Sequence, residues 1–319
     1  MSSLTRHEAA RWLLEQDRYV ILTHRRPDGD TIGSAALLCL GLRQLGKQAY
    51  VLRNMEVTEK YIHLHQGLNK DCPDAEDTLI CVDVAAPELL PEVFQPLLQR
   101  IALRIDHHGS ASSFTPMELV DSGAGACGEI LYDILLEMGV TLDPAMAEAL
   151  YTAVSTDTGC FRYANTTAHS FRVAAACAEA GGNLHAINQE IFDTNSLARL
   201  RLQGWIVENI RLLEEGTIAV CALPLAVEKQ LQLTEDDMEN ISGFPRSIEG
   251  VKIAATLRQN QDGQVKVSVR AVPGYDAARV CREFGGGGHK GAAGATLNMP
   301  LEEAAQAVSR AMQEKGKTQ

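Results

Sequence analysis

The chain has no long hydrophobic run. Its longest apolar stretches, Val20-Ile21-Leu22 and Ala35-Ala36-Leu37-Leu38-Cys39-Leu40, are short. A membrane-spanning helix needs roughly 18 residues, so no membrane association is expected. The N-terminus also lacks an apolar signal core. Met1-Ser2-Ser3-Leu4-Thr5-Arg6-His7-Glu8 runs straight into an amphipathic helical pattern, which leads to the expectation of a cytoplasmic protein. The eight cysteines, at 39, 72, 81, 127, 160, 177, 221 and 281, include no CxxC pair, which argues against a structural zinc site. They read as reduced thiols, most of them small core residues. Basic charge is scarce: 29 Lys and Arg against 41 Asp and Glu leave a net charge of −12. Non-specific binding of long nucleic acid requires a basic surface, so long duplexes are not expected partners. A small anionic substrate remains compatible, because a few Arg and Lys residues with metal cations can build a local positive pocket.

What is present suggests two domains. The 319 residues exceed the size at which one core stops growing. The first ~110 residues alternate between strand and helix patterns. Helices are expected over Arg6–Gln16 and Thr31–Leu45, and strands over Arg18–Thr23, Gln48–Leu52, Thr78–Asp83 and Arg100–Asp106. Such alternation implies a parallel sheet, whose ligands bind beyond the carboxyl ends of its strands. Helices follow over Ala126–Met138, Pro144–Thr156 and Thr167–Ala180, then a charged helical stretch over Leu184–Leu213. A second unit begins near Gly216, with strands at Thr217–Leu223, Val251–Arg258 and Val265–Arg270, and a hairpin turn at Gln261-Asp262-Gly263. Helices at Tyr275–Glu283 and Leu301–Glu314 flank a glycine run.

Acidic and histidine clusters sit where hydrophobic segments end. They are His24, Asp28 and Asp30; Asp83; Asp106-His107-His108; and Asp157 within Thr156-Asp157-Thr158-Gly159. Gathered at one place, these groups would repel one another unless a cation lay among them. Imidazole and carboxylate suit Mn²⁺, Mg²⁺, Co²⁺ or Zn²⁺, and two-metal sites commonly carry phosphoryl-transfer chemistry. Each cluster has a plainer reading. Asp28-Gly29 is also turn chemistry, Asp83 a helix cap for the segment from Pro87, and Asp157 a capping residue. Of the two adjacent histidines, one can ligate metal and the other can meet a phosphoryl oxygen, with Asp106 orienting a ring. Arg162 and Asn165-Thr166-Thr167 can contact a phosphate or cap the next helix.

Farther along, Gly285-Gly286-Gly287-Gly288-His289-Lys290-Gly291-Ala292-Ala293-Gly294 lets backbone amides approach an anion closely, or else forms a hinge. Its Lys-Gly pair is not the Lys-Ser/Thr ending of a nucleotide-binding P-loop. Arg258, Ser268 and Arg270 on neighbouring strands are candidates to complete an anion pocket.

In this order, the clusters resemble the DHH phosphoesterase superfamily, named for the triplet seen here as Asp106-His107-His108. Gly286 to Gly294 is similar to the glycine-histidine pattern of the DHH-associated domain. Length and domain order resemble most closely the NrnA-type branch, which degrades very short oligoribonucleotides and dephosphorylates 3′-phosphoadenosine 5′-phosphate (pAp). The resemblance implies an α/β fold: a parallel-sheet catalytic domain over 1–186, a helical linker over 187–213 and a smaller α/β substrate-binding domain over 214–319. It also implies a phosphoesterase with two divalent cations, usually Mn²⁺, with Mg²⁺ or Co²⁺ as alternatives. One cation would be held by His24, Asp28 and Asp83, the other by Asp30, Asp83, His107 and Asp157. His108 and Asp106 would serve catalysis. Arg270, Gly286, Gly287, Gly288 and His289 would hold substrate, and Arg162, from its own place after Asp157, is a further substrate-binding candidate. Where the family often has Arg-Ser, this chain has Arg270-Ala271. Expected partners are short single-stranded RNA or small nucleotides, with a homodimer left open. Two other readings are a phosphodiesterase for linear or cyclic dinucleotides and a non-catalytic nucleotide-binding protein.

Overall fold

The computed structural model describes residues 2–109, 113–238 and 240–318. The chain divides into two compact units, Met1–Thr194 and Asn195–Gln319. The first unit is built on seven strands: β1 (Ser2–Ser3), β2 (Tyr19–Leu22), β3 (Ala49–Leu52), β4 (Asn69–Lys70), β5 (Thr78–Val82), β6 (Ile101–Asp106) and β7 (Met117–Val120). They lie in the order β1-β7-β6-β5-β2-β3-β4, and every neighbouring pair is parallel. The surrounding helices are α1 (Arg6–Glu15), α2 (Gly29–Gln44), α3 (Glu59–Ile62), α4 (Cys127–Glu137), α5 (Pro144–Asp157), α6 (Ala168–Glu179) and α7 (Leu184–Asn188).

The apolar run of β2 is explained by burial on both faces. Tyr19 and Ile21 join the large core formed with α1, α2, α4 and α5. Val20 and Leu22 face a smaller core under the 3₁₀ segments Pro87–Leu89 and Glu92–Arg100. Helix starts follow side-chain caps: Thr5 with Glu8 for α1, Asp28 for α2, Asp143 for α5, and Thr167 with Ser170 for α6.

The expected strands β2, β3, β5 and β6 are present within a residue or two of their sequence bounds. Strands β1, β4 and β7 were not expected. The first two span two residues each, too few for periodicity to register. In β7, Glu118 breaks the apolar run because its carboxylate is used internally, accepting from the Phe114 N–H at 2.8 Å and the Ser113 hydroxyl at 2.5 Å. Helix α2 starts two residues before the expected Thr31, since Asp28 caps it and draws Gly29 and Asp30 into the first turn.

The stretch 184–213 is not one helix. After α7 comes a π turn at Gln189–Asp193, then α8 (Leu197–Asn209), capped by Ser196. The last three residues are a strand, β8 (Arg211–Leu213). Helix α8 belongs to the second unit, where Leu202 and Ile206 pack with Cys221, Leu223 and Met238.

The second unit continues with β9 (Ile218–Leu223), α9 (Leu225–Leu231), α10 (Glu235–Met238), β10 (Ile253–Gln259), β11 (Val265–Ala271), α11 (Ala277–Arg282), β12 (Gly287–Gly288), β13 (Ala292–Leu297) and α12 (Leu301–Lys315). Its sheet runs β12-β13-β11-β10-β9-β8, with β9 and β10 parallel and the other pairs antiparallel. The expected hairpin joins β10 to β11, with Gly263 at φ +84° in the turn.

Candidate metal centre

The chain leaves β2 toward β3 and β4 on one side, and returns through β5 to β6 and β7 on the other. The β2/β5 boundary is therefore the topological switch point of the sheet, where crevices open beyond the strand ends. His24 follows β2, Asp83 follows β5, and Asp106-His107-His108 end and follow β6. Asp28 and Asp30 stand at the N-terminal turn of α2 and Asp157 at the last residue of α5.

These residues converge. His24, Asp28 and Asp83 form one group with candidate ligand atoms within 4.8 Å of one another; Asp30, His107 and Asp157 form a second; Asp83, His107 and His108 form a third. Asp83 joins them, with a different oxygen toward each side. Its Oδ2 lies 3.8 Å from His24 Nε2 and accepts from the Thr31 hydroxyl at 2.5 Å. Its Oδ1 lies 3.6 Å from His107 Nε2 and 3.5 Å from His108 Nδ1. That Oδ1 is buried and accepts no hydrogen bond among the described residues. Asp83 is not the cap of the following segment: the 3₁₀ turn at Pro87 starts from Ala86 and has no side-chain cap. A buried, unpaired carboxylate oxygen between imidazole nitrogens is a poor structural element and a suitable place for a cation. The donor set of imidazole nitrogens and carboxylate oxygens fits a first-row divalent ion or Mg²⁺.

All three histidines are held at Nδ1, which leaves Nε2 available. His24 Nδ1 meets the Arg25 carbonyl at 2.8 Å, His107 Nδ1 the Ala124 carbonyl at 3.3 Å, and His108 Nδ1 the Asp106 Oδ1 at 2.8 Å. Such partners set the tautomer and aim the ring. Asp106 Oδ1 also accepts the backbone N–H groups of His107 and His108, so Asp106 braces the triplet. Burial alone would raise the Asp106 pKa, but the His108 hydrogen bond and charge, with Arg104, bring it below the usual carboxylate range. His108 is correspondingly raised, chiefly through Asp106.

Asp30 is bound tightly. Its Oδ1 accepts from Ser34 Oγ at 2.9 Å and Gly128 N at 3.1 Å, and its Oδ2 from Cys127 N at 2.7 Å. The N-terminal amides of α4 therefore hold it, with Oδ2 3.7 Å from His107 Nε2. Burial and the nearby Asp157 carboxylate push its pKa up to about 7. Burial and Asp30 likewise raise Asp83 well above the usual range, and burial raises Asp157.

Arg162 follows this centre in sequence. It is exposed, with Nε 2.6 Å from the Gly159 carbonyl. Thr167 caps α6, as one of the sequence readings had it. The remaining candidates lie in the second unit. The glycine run is a β-ribbon and not a hinge: Gly287 and Gly288 pair with Gly294 and Ala293, and His289 and Ala292 exchange backbone hydrogen bonds at its tip. A Cβ at Gly286 would lie 2.2 Å from the Gly294 carbonyl, and one at Gly288 2.6 Å from that of Ala292, so both positions need glycine. Arg270 is on β11, its Nη1 3.2 Å from the Val269 carbonyl. Arg258 is committed elsewhere, paired with Glu228 at 2.7 Å and Glu235 at 3.0 Å, which removes it from the candidate anion pocket.

Residues 18–154 match the model of the DHH family N-terminal domain, and residues 217–315 that of the DHHA1 domain. The chain belongs to the DHH family. It is 32% identical over 302 residues to the bifunctional oligoribonuclease and PAP phosphatase NrnA of Thermus thermophilus, covering 92% of this chain and 89% of the relative. It is 25% identical to the protein of the same name from Bacillus subtilis, covering 91% and 92%. An exopolyphosphatase-related protein from Bacteroides fragilis shares the fold, with a TM-score of 0.84 at 24% identity and coverage of 97% and 95%.

Within the DHH domain, several polar partners escaped the sequence reading. Thr31 and Ser34 grip Asp83 and Asp30 from one face of α2. The signal was their spacing of one and four residues from Asp30. Asn54, far off in sequence, holds Thr23 Oγ1 at 3.0 Å and the His24 carbonyl at 2.9 Å, and no local pattern announces it.

Proposed function

We propose that this DHH-family chain is a metal-dependent phosphohydrolase of the cytoplasm. It would cleave short oligoribonucleotides to mononucleotides and remove the 3′-phosphate of pAp. The observation that carries this reading is Asp83, whose two oxygens face two separate groups of imidazole and carboxylate ligands. The NrnA relatives are named for both activities. In this reading, His24, Asp28 and Asp83 hold one cation, and Asp30, Asp83, His107 and Asp157 the other. Mn²⁺ is the proposed ion. Bound there, the pair would acidify a water and neutralise charge on the phosphoryl oxygens.

The chain's own groups supply the rest. His108, held at Nδ1 by Asp106 and raised in pKa, offers an Nε2 proton to a phosphoryl or leaving oxygen. Arg162 adds a guanidinium to the same domain. Arg270 and the glycine segment Gly286, Gly287 and Gly288 with His289 would bind the far phosphate or terminal base of the substrate. The net charge of −12 fits short substrates bound in a local pocket and not long duplexes.

A turnover panel with Mn²⁺ tests this: RNAs of two to five nucleotides, pAp, linear and cyclic di-AMP, and pyrophosphate. Short RNA and pAp should be the best substrates, and Asp83→Ala should lose at least ~100-fold in turnover. Near-wild-type turnover by Asp83→Ala would reject the shared carboxylate. Preference for cyclic di-AMP over both short RNA and pAp would reassign the substrate.

A further inference from the structure

We infer that Asn165 is a positioning residue whose one amide group aligns two of the metal-facing side chains, Asp157 and His107. Its Nδ2 lies 2.9 Å from the Gly125 carbonyl, 3.1 Å from the Asp157 carbonyl and 3.2 Å from Asp157 Oδ2. All three neighbours are oxygens that only accept, so the amide must present its NH₂ here; the flipped orientation would set oxygen against three oxygens. The contact to Oδ2 engages the same oxygen that lies 3.6 Å from His107 Nε2.

The contact to Gly125 reaches His107 by a second route. Gly125 is clasped on both sides. Its carbonyl accepts from Asn165, and its N–H donates to Glu129 Oε2 at 3.2 Å. Glu129 is buried, and its other oxygen accepts from Ser170 Oγ at 2.5 Å. A Cβ on Gly125 would lie 2.7 Å from Glu129 Oε1 and 3.0 Å from the Asn165 carbonyl, so the loop has no slack. The adjoining Ala124 carbonyl is the partner of His107 Nδ1. Asn165 thus ties the end of α5, which carries Asp157, to the loop that sets the His107 ring. The Asn165 NH₂ only donates and cannot ligate a cation, so it acts through these two side chains.

The inference rests on the proposed ligand assignment. Removing an outer partner of a metal ligand typically weakens metal affinity by about 10–100-fold. Calorimetric Mn²⁺ titration of the full chain without substrate, together with the thermal midpoint of the metal-free chain, provides the test. Wild type should bind two Mn²⁺. Asn165→Ala should weaken one of the two by about tenfold or more, leave the other, and leave the metal-free midpoint close to wild type. Asn165→Asp keeps the shape but turns a carboxylate toward three acceptors, so it should weaken the same ion at least as much. Wild-type affinity for both ions in both variants would overturn the inference. So would a metal-free midpoint that collapses in both, because a purely structural role predicts that result. A wild type that binds fewer than two Mn²⁺ would instead remove the ligand assignment underneath it.

Discussion

Asp83, the residue after β5, has φ at +56°, a left-handed conformation that costs a non-glycine residue roughly 1–2 kcal/mol. Asp tolerates that region better than most residues, and the turn sends its carboxylate into the crevice. There it shares burial with Asp30 and Asp157, and in the metal-free chain the three cannot all ionise cheaply. Asp30 rises from 3.8 to about 7, and Asp83 and Asp157 also rise. Between those values the folded chain holds protons that the unfolded chain has released. The contribution of these three groups to stability is therefore fully present at low pH and is lost as pH rises toward 7. The metal-free thermal midpoint should drop between about pH 5 and about pH 8, and added Mn²⁺ should raise it more at the higher pH. A metal-free midpoint that climbs over that range would contradict this account of the carboxylates.

The centre is assembled by helix packing as much as by strand ends. Gly29 and Gly33 on α2 face α5, where a Cβ would meet the Thr156 side chain at 2.5 Å and the Ala149 carbonyl oxygen at 2.3 Å. This close approach brings the first turn of α2, with Asp30, to the end of α5, with Asp157. Gly33→Ala weighs two effects against each other. Alanine is the better helix former by about 1 kcal/mol, but its methyl would collide with backbone that cannot rotate away. The collision should win, with a net loss of about 1–3 kcal/mol in denaturant unfolding and weaker Mn²⁺ binding. A neutral or stabilising result would mean that the two helices are not in this contact. Nothing near Gly33 in sequence reveals that constraint, because its partner is 116 positions away.

At the scale of the whole molecule, the chain combines a parallel-sheet unit bearing the carboxylate and imidazole centre with a mixed-sheet unit bearing the glycine ribbon. If the second unit selects substrate, Arg270→Ala and His289→Ala should raise KM for pAp and short RNA by about tenfold or more, yet leave bis-p-nitrophenyl phosphate nearly unaffected, since a lost charged contact is worth about 1.5–3 kcal/mol only where the substrate makes it. Equal effects on both kinds of substrate would reject that role.

The sequence alone determined four strands of the first sheet, three of the second, the main helices around them, the strand-end clusters and the glycine-histidine signature. These are local features, written in periodicity and in residues next to one another. Tertiary structure decided what is non-local. It placed β2 and β5 side by side, so that His24 and Asp83 meet, and it made Asp28 a helix cap as well as a member of the centre. It spent Arg258 on Glu228 and turned the glycine run into a paired strand. It also set Asn165 against Asp157 and Gly125, a contact that exists only because the end of α5, the turn after it and the loop before α4 fold onto one another.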